Sequence, residues 1–522
     1  MKKEKDETVE YRLEQFLRAN FGNEFLHKKR VIAISCNQFG DTGKGKFVSL
    51  ISKWADIIAR VTGGDNAGHT IIFEGVEYIL HLIPCGITDP NKVNIIGTGT
   101  VIYPRALLQE IIFLQSKGFP CDNLRISLKA KVILPSHVVL DRLGEAQAGK
   151  ERIGSTGKGI QPCYTDHVAR RGIVMNDLLN PEIFRRKLKK ALDYHTMIIG
   201  GLGGYEAARK IMDCEHLENG KFIGRDEELF NFEAIFQSYL QYGKELRDMI
   251  EDTDVLMRFY LGKKNILLEG AQGYLLSVDY GTYPFVTSSD CSLAGMAKGA
   301  GLRESDIDVS FGIIKGFYMT RVGKGSFPTE MGEKESEMWC NEGGSREKEE
   351  NMFIGATLND TSPFAQGIVL RRLAGEYGAT TGRPRRTGWL DLPLSRYALN
   401  GGANQIILTK LDVLTGMDII KICYSYEYVG PDFNYGDTVL TKGDIIDTAI
   451  VFPEVLDYCK PLYKEFPGWT EDIRDAEHVS DLPENLVNIL KYIFAAVPAT
   501  PRIVSVGPGP DETVFVLPFD LI

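Results

Sequence analysis

Two glycine-rich segments near the start of the chain hold the residues best suited to chemistry. The first, GDTGKGK at Gly40–Lys46, fits the spacing of a glycine, four residues, a second glycine and a lysine. Such a turn lets backbone N–H groups converge on phosphate oxygens, and a helix starting there adds a favourable dipole. Two residues are unusual. Phe47 stands where an ordinary phosphate loop has the Ser or Thr that holds Mg²⁺. Asp41 puts a carboxylate among phosphates, which repel it unless a cation or a proton transfer engages it. The second segment is GGDNAGHT at Gly63–Thr70. Alone, His69 reads as a structural histidine; beside an Asp-bearing phosphate loop it reads as a proton donor or electrophile.

Further along, Thr409–Asp412 (TKLD) follows an apolar run and resembles the N-K-x-D element of guanine-nucleotide proteins, with Thr in the first place. A carboxylate there accepts from both N1–H and the exocyclic amine of guanine, a pair that adenine cannot offer, and the lysine stem can pack over the base. The tetrapeptide is weak alone and gains weight from the phosphate loop upstream. Gly382–Arg386 (GRPRR) suits a dicarboxylate, since a guanidinium binds a carboxylate through two hydrogen bonds.

These segments need a frame. Val31–Ser35 reads as a buried strand feeding the phosphate loop, and Val93–Gly97, Asn265–Leu268, Val309–Ile314, Gln405–Leu408 and Arg502–Val506 read as further strands with helical patterns between several of them. That alternation predicts an α/β fold with a large, mostly parallel central sheet and flanking helices, whose ligands gather at the carboxyl ends of the strands. Residues 1–30 read as an N-terminal helical extension, with Val9, Leu13, Phe16, Leu17 and Phe21 at helical spacing, and 31–522 as one catalytic domain. Within it, about 174–260 reads as a helical insertion and about 332–350 as an exposed hydrophilic loop.

A net charge of −10 argues against nonspecific nucleic-acid binding, which needs a basic surface. Nine scattered cysteines without a Cys-x-x-Cys pair read as reduced thiols in a cytoplasm. The charged N-terminus lacks the apolar run of a signal peptide, and no stretch has the length of a membrane span. The expectation is a cytoplasmic protein with no membrane partner.

From about residue 31 to the end, the chain resembles the adenylosuccinate synthetase family. The resemblance is carried by Gln38–Lys46, Gly63–Thr70, His81–Pro84, Gly154–Ile160, Val168–Gly172, Glu269–Gly273, Gly281–Ser289, Thr320–Gly323, Phe327–Glu330, Gly378–Arg386, Thr409–Asp412, Pro467–Trp469 and Ser505–Pro508, in family order. It implies GTP-dependent ligation of L-aspartate to IMP through a 6-phosphoryl-IMP intermediate, the first committed step of AMP synthesis from IMP, in a homodimer with Mg²⁺. The implied catalytic residues are Asp41, which takes the N1 proton of IMP, His69, the acid for phosphoryl transfer, and Gln272. Asp41 and the Gly68 carbonyl would ligate Mg²⁺. The GTP set is Gly40, Thr42, Gly43, Lys44, Gly45, Lys46, Thr70, Arg385, Lys410, Asp412, Ser505, Val506 and Gly507. IMP would meet Asn66, Thr156, Gln272, Thr287, Val322 and Arg383, with Arg170 reaching its phosphate from a neighbouring subunit. Thr380, Thr381, Arg383 and Arg385 would grip aspartate.

The chain departs from the family at Thr42, where Glu is usual, which bears on Mg²⁺ affinity and on Asp41. The N-terminal helix and the 332–350 segment look longer than the family pattern. Two rivals stand beside this reading: a GTP-binding regulatory switch, which Asp65–Gly68 imitates, and a related ligase acting on another purine nucleotide.

Overall fold

The computed structural model describes residues 2–73, 76–210, 231–378, 382–517 and 520. Its frame is an eleven-stranded sheet. In spatial order the strands are Thr513–Phe515, Thr500–Ser505, Gln405–Thr409, Val309–Lys315, Val31–Cys36, Ile266–Glu269, Ile57–Gly63, Val93–Ile102, Leu124–Ser127 and Ile250–Glu251, with Lys131–Val132 paired to the far end of Val93–Ile102. Every pairing is parallel except that of the edge strand Thr513–Phe515. Helices cover both faces, so the central strands read as unbroken apolar runs; every residue of Val31–Cys36 is buried. The carboxyl ends of Val31–Cys36, Ile57–Gly63, Ile266–Glu269, Gln405–Thr409 and Thr500–Ser505 lie along one edge of the sheet, each running directly into a segment singled out above.

A second sheet joins Tyr318–Arg321, Arg386–Asp391, Ile419–Tyr428, Ile445–Ile446 and Cys459–Pro467. Its strand Arg386–Asp391 begins where the arginine-rich segment ends, which anchors one end of that loop in a buried sheet.

The N-terminal helix runs over Lys2–Phe21, longer than its apolar spacing required, and buries Leu13, Phe16 and Leu17. Phe16 packs tilted against Phe515 at 5.0 Å between centroids, so this helix covers the antiparallel edge of the main sheet. Within 174–260, helices occupy Pro181–Gly201, Phe232–Glu245 and Thr253–Tyr260, while residues 211–230 lie outside the described residues.

The segment 332–350 is helical rather than a loop, though most of its residues are exposed or partly exposed. It forms helices Glu333–Asn341 and Arg346–Met352, the second capped by Ser345, whose hydroxyl accepts from Lys348 N at 3.3 Å. Two of its hydrophilic residues face inward. Glu349 and Ser336 are fully buried. Glu349 pairs with the equally buried Arg371, accepts from Trp339 Nε1 at 2.8 Å and from Tyr377 Oη at 2.6 Å. Trp339 packs edge-on against Phe353 and Phe364.

Candidate active site

Gly40–Lys46 follows strand Val31–Cys36 and feeds helix Lys44–Ser52, with Gly43 in the left-handed conformation (φ 73°) as its N-cap. Phe47, Val48, Leu50 and Ile51 are buried and fix the helix to the sheet. The loop is wedged between its neighbours. A Cβ on Gly273 would stand 2.2 Å from Gln38 O and 2.6 Å from Gly40 N, so only glycine admits this approach. Thr409 Oγ1 donates to Thr42 O at 2.8 Å, tying the loop to the strand that carries TKLD. Thr42 itself is buried, and its neutral hydroxyl adds no charge beside Asp41.

Asp41 sits in the left-handed region (φ 51°), its side chain 42% exposed, and Arg385 Nε lies 2.7 Å from Asp41 Oδ2. The phosphate loop and the arginine loop therefore meet. Lys44 Nζ donates to Gly270 O, and desolvation, then Arg60, lowers its pKa. Lys46 points elsewhere: its ammonium donates to Ser505 Oγ (2.7 Å), Gly507 O (2.8 Å) and Glu512 O (2.8 Å), and burial lowers its pKa to about 7. It thus links the phosphate-loop helix to the Ser505–Gly507 segment, where Val506 is buried and Ser505 Oγ donates to Gly507 O at 2.9 Å.

His69 opens strand His69–Phe73 and is 6% exposed. Its Nδ1 stands 3.4 Å from Glu269 Oε1, yet neither ring nitrogen has a hydrogen-bond partner. Burial lowers its pKa to about 4 against the opposing pull of Glu269. Glu269 also pairs with Arg60 at 3.2 Å. Sequence reasoning gave Glu269 and Arg60 no role; the signal was a charged residue within one buried strand and at the end of another. Gln272 (φ 48°) donates from Nε2 to Asn66 Oδ1 at 3.3 Å, and Asn66 Oδ1 also accepts from Gly64 N at 3.1 Å. Gly68 is exposed at the same mouth, and Thr70 lies in the following strand.

In the TKLD element, Lys410 (φ 58°) donates to Ala374 O (3.0 Å) and Glu376 Oε1 (2.7 Å). Asp412 is partly buried and its pKa is raised by desolvation, with Lys46 and Lys410 opposing. Of the residues expected at IMP, Thr287 N donates to Leu276 O at 2.8 Å, while Thr156, Val322 and Arg383 are exposed. Thr380 and Thr381 lie outside the described residues; the neck of their loop is closed by Gly378 N donating to Arg383 O at 2.8 Å and Arg385 N to Glu376 O at 2.9 Å. Arg170 is exposed, in a left-handed turn (φ 62°) after helix Ile160–Val168.

Behind Arg170 lies the group of metal-ligand types among the described residues, His137, Asp166 and His195. It is satisfied internally. Leu134 N donates to His137 Nδ1 at 3.0 Å, which leaves the proton on Nε2 to donate to Asp166 Oδ2 at 3.2 Å. His195 Nε2 meets the same oxygen at 2.8 Å and its Nδ1 meets Ser136 Oγ at 2.7 Å. A metal on His137 Nε2 would move the proton to Nδ1, facing a backbone N–H, so this group suits a structural knot rather than an ion. Asp166 also holds Arg171 at 3.2 Å. The oxygen donors of Asp41 and Gly68, in contrast, suit Mg²⁺, which takes few protein ligands and completes its shell with phosphates and water.

Residues 33–514 match the family model of adenylosuccinate synthetase. The chain is 40% identical over 487 residues to an adenylosuccinate synthetase of Caldanaerobacter subterraneus subsp. tengcongensis, covering 92% of this chain and 98% of that protein. It is 38% identical over 484 residues to the Streptococcus sanguinis enzyme of that name, covering 92% and 97%. Among solved structures, a fully ligated adenylosuccinate synthetase from Plasmodium falciparum superposes with a TM-score of 0.74 at 32% identity, over 93% of this chain and all of that one. With a phosphate loop and a TKLD element on one edge of the main sheet, an arginine loop that reaches the phosphate loop from the second sheet, and this similarity across nearly its whole length, the chain belongs to the adenylosuccinate synthetase family of ligases.

Proposed function

We propose that this protein joins L-aspartate to IMP at the cost of GTP, giving adenylosuccinate, GDP and phosphate. The observation that carries the reading is the 2.7 Å approach of Arg385 to Asp41, which brings a phosphate loop and a carboxylate-binding loop to one point. A regulatory switch has no use for that convergence, and membership of a ligase family sets the switch aside.

The purine 6-oxo group is a poor leaving group, so it must be activated. Asp41 takes the N1 proton, O6 attacks the γ-phosphorus, and the bond to the GDP oxygen breaks. The aspartate amino group then adds at C6 and phosphate leaves. Arg383 and Arg385, with Thr380 and Thr381, hold the aspartate carboxylates; Asn66, Gln272, Thr156, Thr287 and Val322 hold IMP. Gln272 and Asn66 are already hydrogen-bonded to each other, which supports a preorganised purine site. Lys410, Asp412 and Ser505–Gly507 hold guanine, with Lys46 bracing the last of these. Burial alone keeps His69 neutral near pH 7; the charge of a nearby triphosphate is what would favour its protonated form and an acid role. Asp41 and Gly68 would hold Mg²⁺, which neutralises charge on the transferring phosphoryl group when bound.

The reading extends to a cytoplasmic homodimer in which Arg170 completes the partner's IMP site. It is supported by the exposure of Arg170 and by the free, buried state of the eight cysteines among the described residues. No described helix is long and apolar enough to cross a membrane. The test is an absorbance assay for adenylosuccinate with GTP, IMP, aspartate and Mg²⁺, leaving out each in turn. Each omission should abolish product; GTP turnover that ignores aspartate and IMP would sink the proposal.

A further inference from the structure

The segment before the arginine loop contains an acid that the reaction above does not use. Glu376 is 2% exposed, at the neck of the loop, two residues after helix Pro363–Ala374 ends. Its backbone and its side chain face two different parts of the site. The backbone carbonyl accepts from Arg385 N at 2.9 Å, and Arg385 is the residue whose Nε stands 2.7 Å from Asp41. The carboxylate turns inward. Oε1 accepts from Lys410 Nζ at 2.7 Å and from Tyr318 Oη at 2.9 Å, and Oε2 pairs with Lys315 Nζ at 2.7 Å.

Both carboxylate oxygens are therefore occupied, and the groups on them belong to different strands. Lys315 ends strand Val309–Lys315, Tyr318 opens Tyr318–Arg321 in the second sheet, and Lys410 follows Gln405–Thr409. Burial disfavours the charge on Glu376, but Lys315 and Lys410 outweigh it and bring the pKa down to about 2. The converse holds for the lysines. Lys315 is wholly buried, and without the carboxylate the two ammonium groups would lose the counter-charge they share. Lys410 cannot move its ammonium without freeing Glu376, and Glu376 cannot shift without moving the Arg385 amide.

We propose that Glu376 is a positioning residue that couples guanine recognition to aspartate binding, through Lys410 on one side and the Arg385 end of the loop on the other. A base packed on the Lys410 stem fixes the ammonium on Glu376 and thereby the neck of the arginine loop. By linkage, aspartate held in that loop must tighten the guanine nucleotide by the same factor. The inference rests on the base and aspartate roles proposed above, and the experiment separates the two.

The Kd of a hydrolysis-resistant GTP analogue is measured with IMP present throughout, with and without saturating aspartate. In the unaltered protein, aspartate should tighten the analogue at least ~5-fold, the lower end of ordinary coupling energies. In Glu376→Gln the ratio should fall to about 1, because the side chain no longer carries the charge that ties Lys410 to the neck of the loop. Lys410→Met, which keeps the stem and removes the ammonium, should raise the KM for aspartate at saturating GTP although Lys410 is assigned to guanine. This second variant decides the matter if Glu376→Gln does not fold. An unchanged ratio in Glu376→Gln, an unchanged aspartate KM in Lys410→Met, or a ratio of 1 in the unaltered protein overturns the coupling. If the unaltered protein makes no adenylosuccinate, it is the functional reading that falls instead.

Discussion

Glu349→Leu isolates the part of the molecule that sequence reasoning misjudged. The substitution puts an apolar side chain of similar bulk in a fully buried position and leaves the guanidinium of Arg371, also fully buried, without its counter-charge. It also removes the acceptor for Trp339 Nε1 and Tyr377 Oη. Breaking one partner of a buried ion pair costs roughly 3–5 kcal/mol. The unfolding entropy of a 522-residue chain is about 1.1 kcal/mol per degree at ~2.1 cal/mol/K per residue, so Tm should fall by about 3–5 °C. The effect should reach the site as well. Arg371 Nε donates to Arg385 O at 2.6 Å, so a displaced guanidinium loosens the residue that faces Asp41. The KM for aspartate should rise while that for IMP holds. Thermal unfolding followed by fluorescence, with initial rates at varied aspartate, reads both effects. A variant with unchanged Tm and unchanged aspartate KM would show that residues 333–352 are surface decoration after all.

Three further outcomes are expected. Asp412→Asn should weaken GTP by roughly 1.5–3 kcal/mol, the worth of a charged hydrogen bond, and improve XTP, whose base has an acceptor where guanine has a donor; unchanged nucleotide preference in competition assays removes the base assignment. Burial lowers both His69 and His137 to about 4, so the unfolded chain binds more protons than the folded one between that value and 6.5, and stability should fall as pH drops through the window. His137→Asn should flatten the slope of Tm between pH 6.5 and 5, and a slope that does not change counts against the assignment. Inactive Arg170→Leu and Asp41→Asn proteins, mixed and allowed to exchange subunits, should regain activity well above either parent, because one site of a mixed dimer carries neither defect; no gain after proven exchange places Arg170 within its own chain or outside the site.

Much of the frame could be read from the sequence because the strands are long apolar runs between polar punctuation. Val31–Cys36 and Gln405–Thr409 stand nearly where their residues put them, and each ends in a segment whose glycines, Asp or Lys already suggested chemistry. The buried charges were hidden. Glu269 and Glu376 look like any surface acid in one dimension, because their partners Arg60, Lys315 and Lys410 lie far away along the chain. The same blindness turned Glu333–Met352 into a loop, since its inward-facing Glu349 carries no apolar signal. Lys46 was assigned to GTP by the resemblance, but its reach to Gly507 depends on the register between a helix and the far strand and could not be read from the sequence.

The site leaves one trace that is independent of side-chain partners. Among the described residues, seven that are not glycine have positive φ, and four of them are Asp41, Arg170, Gln272 and Lys410, all singled out for chemistry. A left-handed residue with a Cβ costs roughly 1–2 kcal/mol, while glycine there is free of the clash but loses about 0.5–1 kcal/mol more on folding. If the phosphate loop stores that strain, Asp41→Gly should be more stable than Asp41→Ala by roughly 0.5–1 kcal/mol, although both lack the carboxylate. The comparison cancels the lost ion pair with Arg385, because neither variant can make it. Denaturant titration of the two proteins supplies the difference, and adenylosuccinate formation should be lost in both. Equal stability, or a more stable alanine, means that the loop relaxes once Asp41 is gone, and the left-handed turn is then held by the contact with Arg385 rather than imposed by the glycines around it.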